Sequence, residues 1–144
     1  MVTIRQFQPE DTFTVIKLAY ETLPERYNPT TFNNLYESFP EGFIIAEQYH
    51  KIIGFIAGTK TFEHAKIMLL TVSENYRRKK IATNLINKFY ENLKKINVPN
   101  IELSVKTDNT AAITFYKKQG FIIIEKIGNF YQDGSNAYIM KKKL

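Results

Sequence analysis

Cysteine is absent from the 144 residues, and histidine is limited to His50 and His64. The first absence excludes disulfides, thiolate metal sites and any cysteine nucleophile. Two histidines make no metal cluster, so no metal is expected, and each imidazole reads as a surface or strand-end residue. Long hydrophobic runs are also missing. No stretch approaches the roughly 20 apolar residues of a membrane span, and the N-terminus has no leader pattern. A cytoplasmic protein with no membrane association is therefore expected. No repeat, linker or low-complexity tract interrupts the chain. What is present is an ordinary apolar share of 44%, enough for one domain over residues 1–144 with a real core. The net charge of +6 points to anionic partners, and part of it is local, at Arg77 to Lys80 and Lys141 to Lys143. Nucleic acid is a rival explanation for a basic domain. No aromatic RNA motif, recognition helix or zinc framework accompanies the charge, so no specific nucleic acid is expected.

Patterning supplies the element order. Thr3-Ile4-Arg5-Gln6-Phe7 reads as a short strand. Pro9 and Asp11 suit a helix start, with the helix reaching about Glu21 and Phe13, Ile16, Ala19 and Tyr20 on its apolar face. Pro24 and Pro29 break it. A second helix is expected from about Thr30 to Phe39, with Phe32, Leu35, Tyr36 and Phe39 on one side. Phe43–Glu47 and Ile52–Gly58 read as strands joined closely enough to pair antiparallel. A buried strand over Ile67–Val72 follows, then a basic turn, then a helix with Ala82, Leu85, Ile86, Phe89, Leu93 and Ile96 at steps of three and four. Ile101, Leu103 and Val105 alternate as a strand. Asp108 and Asn109 offer a helix cap, and Gly120 fits the stop of a short helix carrying Ile113, Phe115 and Tyr116. Strands over Phe121–Glu125 and Ala137–Met140, joined through a turn at Gln132–Ser135, close the sheet. The fold expected is α/β (α+β): a mixed sheet of about seven strands flanked by about four helices, on both faces.

The organising stretch is the strand, basic turn and helix start around Arg77-Arg78-Lys79-Lys80. A helix start presents unpaired backbone N–H groups and the positive end of the helix dipole. Four cations stand at the same place, which suits a phosphate-bearing ligand. The alternative is a solvated basic turn.

Two motifs carry a resemblance. Arg77, Lys80 and Ala82 are spaced like the acetyl-CoA pyrophosphate loop of the GNAT superfamily of N-acetyltransferases, whose pattern is Gln or Arg, two residues, Gly, one residue, then Gly or Ala. Lys80 stands where that pattern has glycine, and a positive φ there costs a non-glycine residue on the order of 1 kcal/mol. Downstream, Asn109-Thr110-Ala111-Ala112-Ile113-Thr114-Phe115-Tyr116-Lys117-Lys118-Gln119-Gly120-Phe121 resembles the family's Asn-x-x-Ala-x-x-Phe-Tyr-x-x-x-Gly-Phe segment at every defined position. The resemblance covers nearly the whole chain and implies the GNAT fold.

It also implies a site. Leu70, Thr71 and Val72 would run along the pantetheine arm of acetyl-CoA, on a strand that splays from its neighbour. The turn from Arg77 through Arg78, Lys79, Lys80 and Ile81 to Ala82 would hold the pyrophosphate. Asn109 would contact the cofactor, or act only as a cap. The Tyr116 hydroxyl would serve the departing sulfur as general acid; the other reading is an aromatic on the core face of its helix. Leu23-Pro24-Glu25-Arg26-Tyr27 and Phe130 to Met140 resemble the loops that clamp a peptide in catalytic subunits of protein N-terminal acetyltransferases. Leu23, Glu25, Tyr27, Tyr131 and Tyr138 would inherit that role, with Glu25 as base through a water. The histidine that some relatives use as base aligns near Lys66, two residues from His64. Without cysteine, direct attack of the amine on acetyl-CoA is favoured over an acyl-enzyme. The activity implied is acetyl transfer to the α-amino group of a peptide or protein N-terminus, by a monomer or weak homodimer. A small-molecule amine as acceptor, a non-catalytic cofactor-binding regulator and a basic nucleic-acid-binding domain are the alternatives.

Overall fold

The computed structural model describes residues 1–144. Its elements run β1 (Thr3–Gln6), α1 (Thr12–Thr22), α2 (Pro29–Ser38), β2 (Ile44–Gln48), β3 (Lys51–Lys60), β4 (His64–Val72), α3 (Ile81–Lys95), β5 (Asn100–Lys106), α4 (Thr110–Lys118), β6 (Ile122–Ile127) and β7 (Ala137–Lys143). Short 3₁₀ turns lie at Pro9–Asp11, Pro40–Gly42 and Glu74–Tyr76. The seven strands form one sheet in the order β1-β2-β3-β4-β5-β7-β6, so strand and helix numbers match the expectation from patterning. All neighbours are antiparallel except β4 and β5.

Helices cover both faces. On one, Val15, Leu18 and Ala19 of α1 and Phe32 and Leu35 of α2 pack on Ile45, Phe55, Ala57 and Leu69. On the other, Ile81, Leu85, Ile86, Phe89 and Leu93 of α3 pack on Ile44, Ile53, Ile56, Ile67 and Ile101, and α4 adds Ile113, Phe115 and Tyr116 at the margin. The α3 stripe follows the helical period residue by residue. Of the α1 face expected, Ala19 is buried and Ile16 packs beside it, whereas Phe13 is 80% exposed and Tyr20 41% exposed. The smaller Val15, Leu18 and Ala19 let α1 lie close on the sheet. Phe39 ends α2 and crosses to the other cluster, where its ring meets Phe89 edge-on at 6.0 Å.

The parallel pair β4–β5 decides the shape of the site. It spans only His64↔Asn100, Ala65↔Ile101 and Lys66↔Glu102. Just beyond, the register of β3 against β4 shifts between Ala57↔Leu69 and Gly58↔Ile67, which leaves Met68 as an extra residue in β4. Such a bulge bends a strand and raises its twist. Gly58 permits the close approach, since a Cβ there would lie 2.4 Å from the Lys66 carbonyl oxygen. From this point β4 follows β3 while β5 follows β7, and the sheet opens into a wedge.

Candidate active site

The wedge is a cleft of about 460 Å³. Its walls are Lys66 to Leu70 of β4 and Leu103 to Lys106 of β5. Asn109, Ala112 and Tyr116 of α4 close one side, and Leu23–Tyr27 and Phe130–Gln132 cross the mouth. Beyond Lys66 the β5-facing edge of β4 has no strand partner, so its backbone groups are open to a ligand chain.

One end of this edge leads into the start of α3. Lys80 is the N-cap residue, with φ 61° and ψ 22°, and Arg78 also lies in the left-handed region at φ 64°. The turn therefore keeps the conformation that a glycine would take, at a cost of about 1 kcal/mol for each such residue. No side chain caps the helix, which leaves its first backbone N–H groups without a protein acceptor. The four cations differ in what they do. The Arg77 guanidinium Nε donates to the Val72 carbonyl at 3.2 Å, tying the turn to the end of β4. Lys79 lies over the Tyr76 ring at 5.5 Å. Arg78 and Lys80 are exposed. Uncapped N–H groups, free cations and an unpaired strand edge suit an extended ligand with a phosphate-bearing end.

Tyr116 is placed by local structure. Asn109 Oδ1 accepts from the Ala112 N–H at 3.1 Å, capping α4. At the other end the Gly120 N–H bonds to the Lys117 carbonyl and the Phe121 N–H to the Tyr116 carbonyl, both at 3.0 Å. Gly120 takes φ 96° there, and the pair of bonds is a Schellman stop. The Tyr116 ring sits edge-on between Phe115 at 5.3 Å and Phe121 at 5.5 Å. Burial, with a smaller effect from Tyr131, pushes its hydroxyl above the ordinary tyrosine range, with no hydrogen bond to oppose it. It is a neutral donor facing the cleft.

The mouth is built from side chains. The exposed Tyr20 braces the α1–α2 segment: its hydroxyl donates to the Tyr27 carbonyl at 3.0 Å, and Arg26 lies 5.3 Å above its ring. Tyr27 is half-buried against Phe32. Burial raises the Tyr27 and Tyr131 hydroxyls above their usual range, and the Glu25 charge adds to both, so these too remain protonated donors. The Tyr131 hydroxyl donates to Ser104 Oγ at 3.3 Å. Glu25 Oε1 stands 3.4 Å from Lys106 Nζ, which is 3.0 Å from Asp133 Oδ2.

The structure thus brings Leu23, Glu25, Tyr27, Leu70, Asn109, Tyr116 and Tyr131 to one cleft. Thr71 and Val72 are buried in β4, and the Thr71 hydroxyl is spent on Thr22 Oγ1 at 2.8 Å; only their backbone faces the ligand question. Tyr138 is not brought there. It pairs opposite Val105, one residue out of phase with Ser104, and packs against the α3-side core. His64 sits exposed at the far end of β4, where its carbonyl accepts from the Thr61 N–H. Ser104 and Lys106 were not read as site residues from the sequence. Their signal was only the polar half of the β5 alternation, which says nothing of what they meet.

The family model of the acetyltransferase (GNAT) family matches residues 12–121. The chain belongs to the GNAT family of acetyltransferases. The crystal structure of Ard1 from Thermoplasma volcanium superposes with a TM-score of 0.96 at 36% identity, covering 99% of this chain and 97% of that one. Naa50 of Arabidopsis thaliana, in complex with the bisubstrate analogue CoA-Ac-MVNAL, gives a TM-score of 0.91 at 28% identity over 99% of each chain. The catalytic subunit NAA20 of the N-terminal acetyltransferase B complex of the same plant is 29% identical, over 100% of this chain and 86% of its own. No helix is long and apolar enough to cross a membrane.

Proposed function

We propose that this acetyltransferase moves the acetyl group of acetyl-CoA to the α-amino group of a peptide or protein N-terminus. The observation that carries the reading is a cleft that follows the unpaired edge of β4 to a mouth crossed by two tyrosine-bearing segments, on a strand that leads through a basic turn into the uncapped start of α3. The relatives named above support it, being N-terminal acetyltransferases or binding a CoA–peptide conjugate.

Acetyl-CoA supplies an activated thioester whose acyl transfer releases a thiolate. The residues fitted to hold it are the free edge of Leu70 to Val72, the N–H groups from Arg78 to Ala82 with the Arg78 and Lys80 charges, and Asn109 beside Tyr116; the Arg77 N–H is already given to the Glu74 carbonyl. At the chemical step the Tyr116 hydroxyl donates a hydrogen bond to the developing negative charge. Its raised pKa makes full proton transfer to a thiolate uphill, because thiols titrate near about 8.5. Donation of a hydrogen bond is the larger part of its role. On the acceptor side, an α-amine with pKa about 7.7–8.0 is roughly one-tenth neutral at pH 7, whereas a lysine side chain at about 10.4 is neutral in less than about one part in a thousand. Glu25, working through a water, therefore suffices as base for an N-terminus. Leu23, Tyr27 and Tyr131 line the path of the peptide; the Tyr27 hydroxyl is a donor for its backbone, and the Tyr131 hydroxyl, whose proton goes to Ser104 Oγ, offers its oxygen as an acceptor.

The deciding experiment compares a peptide with a free N-terminus against the same peptide blocked there and carrying a lysine, each with acetyl-CoA. Acetylation of the free N-terminus alone is expected. Equal or faster reaction of the blocked peptide, or exclusive use of polyamines, would reject this acceptor.

A further inference from the structure

Lys106 closes β5 where the strand reaches the mouth of the cleft. Its ammonium touches both segments that cross the mouth: Glu25 Oε1 at 3.4 Å from the α1–α2 side and Asp133 Oδ2 at 3.0 Å from the β6–β7 side. It also lies 5.4 Å above the Tyr131 ring. The Lys106 side chain is only 20% exposed and Glu25 19%, against 59% for Asp133, so the Glu25 contact is the better shielded from water. Two residues back on the same face of β5, Ser104 receives the Tyr131 hydroxyl. Asp133 is itself held, because its Oδ1 accepts from both the backbone N–H and the hydroxyl of Ser135. The second leg of the bridge therefore ends on an ordered turn. Without the ammonium, two carboxylates would face one another with no cation between them and repel. An ammonium suits this place: its three donors point in different directions and meet acids arriving from two sides. The pull of Asp133 and Glu25 holds the Lys106 pKa above the ordinary lysine range, so the charge is permanent near neutrality.

We propose that Lys106 is a positioning residue for the acceptor. It ties Leu23–Tyr27 to the β6–β7 segment across the mouth and sets the spacing of Tyr27, Tyr131 and the Glu25 carboxylate around the incoming amine. The inference rests on the reading of this mouth as the peptide site.

The test uses the variants Lys106→Met, Lys106→Arg, Asp133→Asn and the Lys106→Met/Asp133→Asn pair. It measures kcat and KM for a free-N-terminus peptide, acetyl-CoA affinity by calorimetry, and limited proteolysis of the substrate-free protein. Lys106→Met is expected to raise peptide KM about tenfold, as loss of a shielded charge pair does, with acetyl-CoA affinity unchanged. Cleavage within both 23–27 and 130–136 should become faster. Lys106→Arg should restore most of the loss. Asp133→Asn should give a smaller rise in KM and add nothing to Lys106→Met. An unchanged KM in Lys106→Met, a parallel loss of acetyl-CoA affinity, or multiplying effects in the pair would overturn the proposal. Should Lys106→Met fail to fold, the surface variant Asp133→Asn decides: unchanged KM and cleavage would overturn it. A wild type that acetylates no peptide N-terminus would instead overturn the function, while the proteolysis comparison, which needs no substrate, would still decide the bridge.

Discussion

The start of α3 and the mouth of the cleft are built by opposite means. The α3 end is made of backbone: left-handed residues at Arg78 and Lys80, an uncapped helix start and an unpaired strand edge. Its parts lie within a dozen or so residues of one another along the chain. The mouth is made of side chains drawn from three distant segments, joined by Glu25, Ser104, Lys106, Tyr131 and Asp133. Backbone donors suit a ligand common to a whole family, since any residue supplies them. Side-chain bridges suit an acceptor that differs from one member to the next, since one substitution changes them. Tyr116 stands between the two ends and belongs to neither.

That position makes it the sharpest test of the division. Tyr116→Phe is expected to lower kcat by about 10²–10³ while leaving both acetyl-CoA affinity and peptide KM near wild type. A variant with unchanged turnover would remove Tyr116 from the chemistry and leave only binding ends. At the mouth, Tyr131→Phe deletes the bond to Ser104 and the hydroxyl oxygen that can accept from the peptide. It should raise peptide KM about five- to tenfold and leave the KM for acetyl-CoA alone; equal changes in the two would mean that the ends are not separable.

At the α3 end, Lys80→Gly removes a charge and relieves the left-handed strain. Acetyl-CoA affinity should fall about two- to fivefold at low salt, the range of an exposed ion pair, and match wild type at high salt, where such a charge is screened. A large loss independent of salt would show that the side chain, and not the backbone, shapes this end. The smallest effect concerns acid. Ser135 first, then Lys106, holds the Asp133 carboxyl well below the ordinary carboxylate range. A depressed carboxylate contributes its stabilisation above its unfolded pKa and loses it only as pH falls through the lower folded value. Hydrogen-exchange protection in residues 130–136, taken relative to the intrinsic rate at each pH, should therefore be as high at about pH 4, where a free aspartate titrates, as at neutrality. Loosening there would show that the mouth is less tightly held than the bridge implies.

How much of this was legible depends on distance along the chain. The segment Asn109 to Phe121 could be read in full, because cap, helix, Schellman stop and the two flanking rings all act within one short stretch. The α3 stripe was nearly as plain: Leu85, Ile86, Phe89 and Leu93 are buried as expected, Ile81 joins them, Ala82 is partly buried, and Ile96, past the helix end, is 42% exposed. The α1 face was half legible: Ile16 and Ala19 pack on the sheet as expected, but Phe13 and Tyr20, the largest apolar residues there and so favoured by patterning, do not. Packing added Val15 and Leu18, which with Ala19 fit close to β3 and β4, and left Tyr20 outside as a brace for Tyr27. Tyr138 looked like a partner of Tyr131 because both lie in one motif, but strand parity turns it to the other face of the sheet.

The sequence by itself determined the order of elements, the turn at Arg77 to Ala82 and the setting of Tyr116, because helix caps, turn conformations and the 3.6-residue period are interactions between near neighbours. Tertiary structure alone decided the wedge and its mouth. The bulge at Met68 arises from the register of β4 against Gly58, and the bridge at Lys106 unites residues 81 and 27 positions away in the chain. Contacts of that span depend on how strands align and where loops come to rest, and the pattern of neighbouring residues does not encode a distance it never samples.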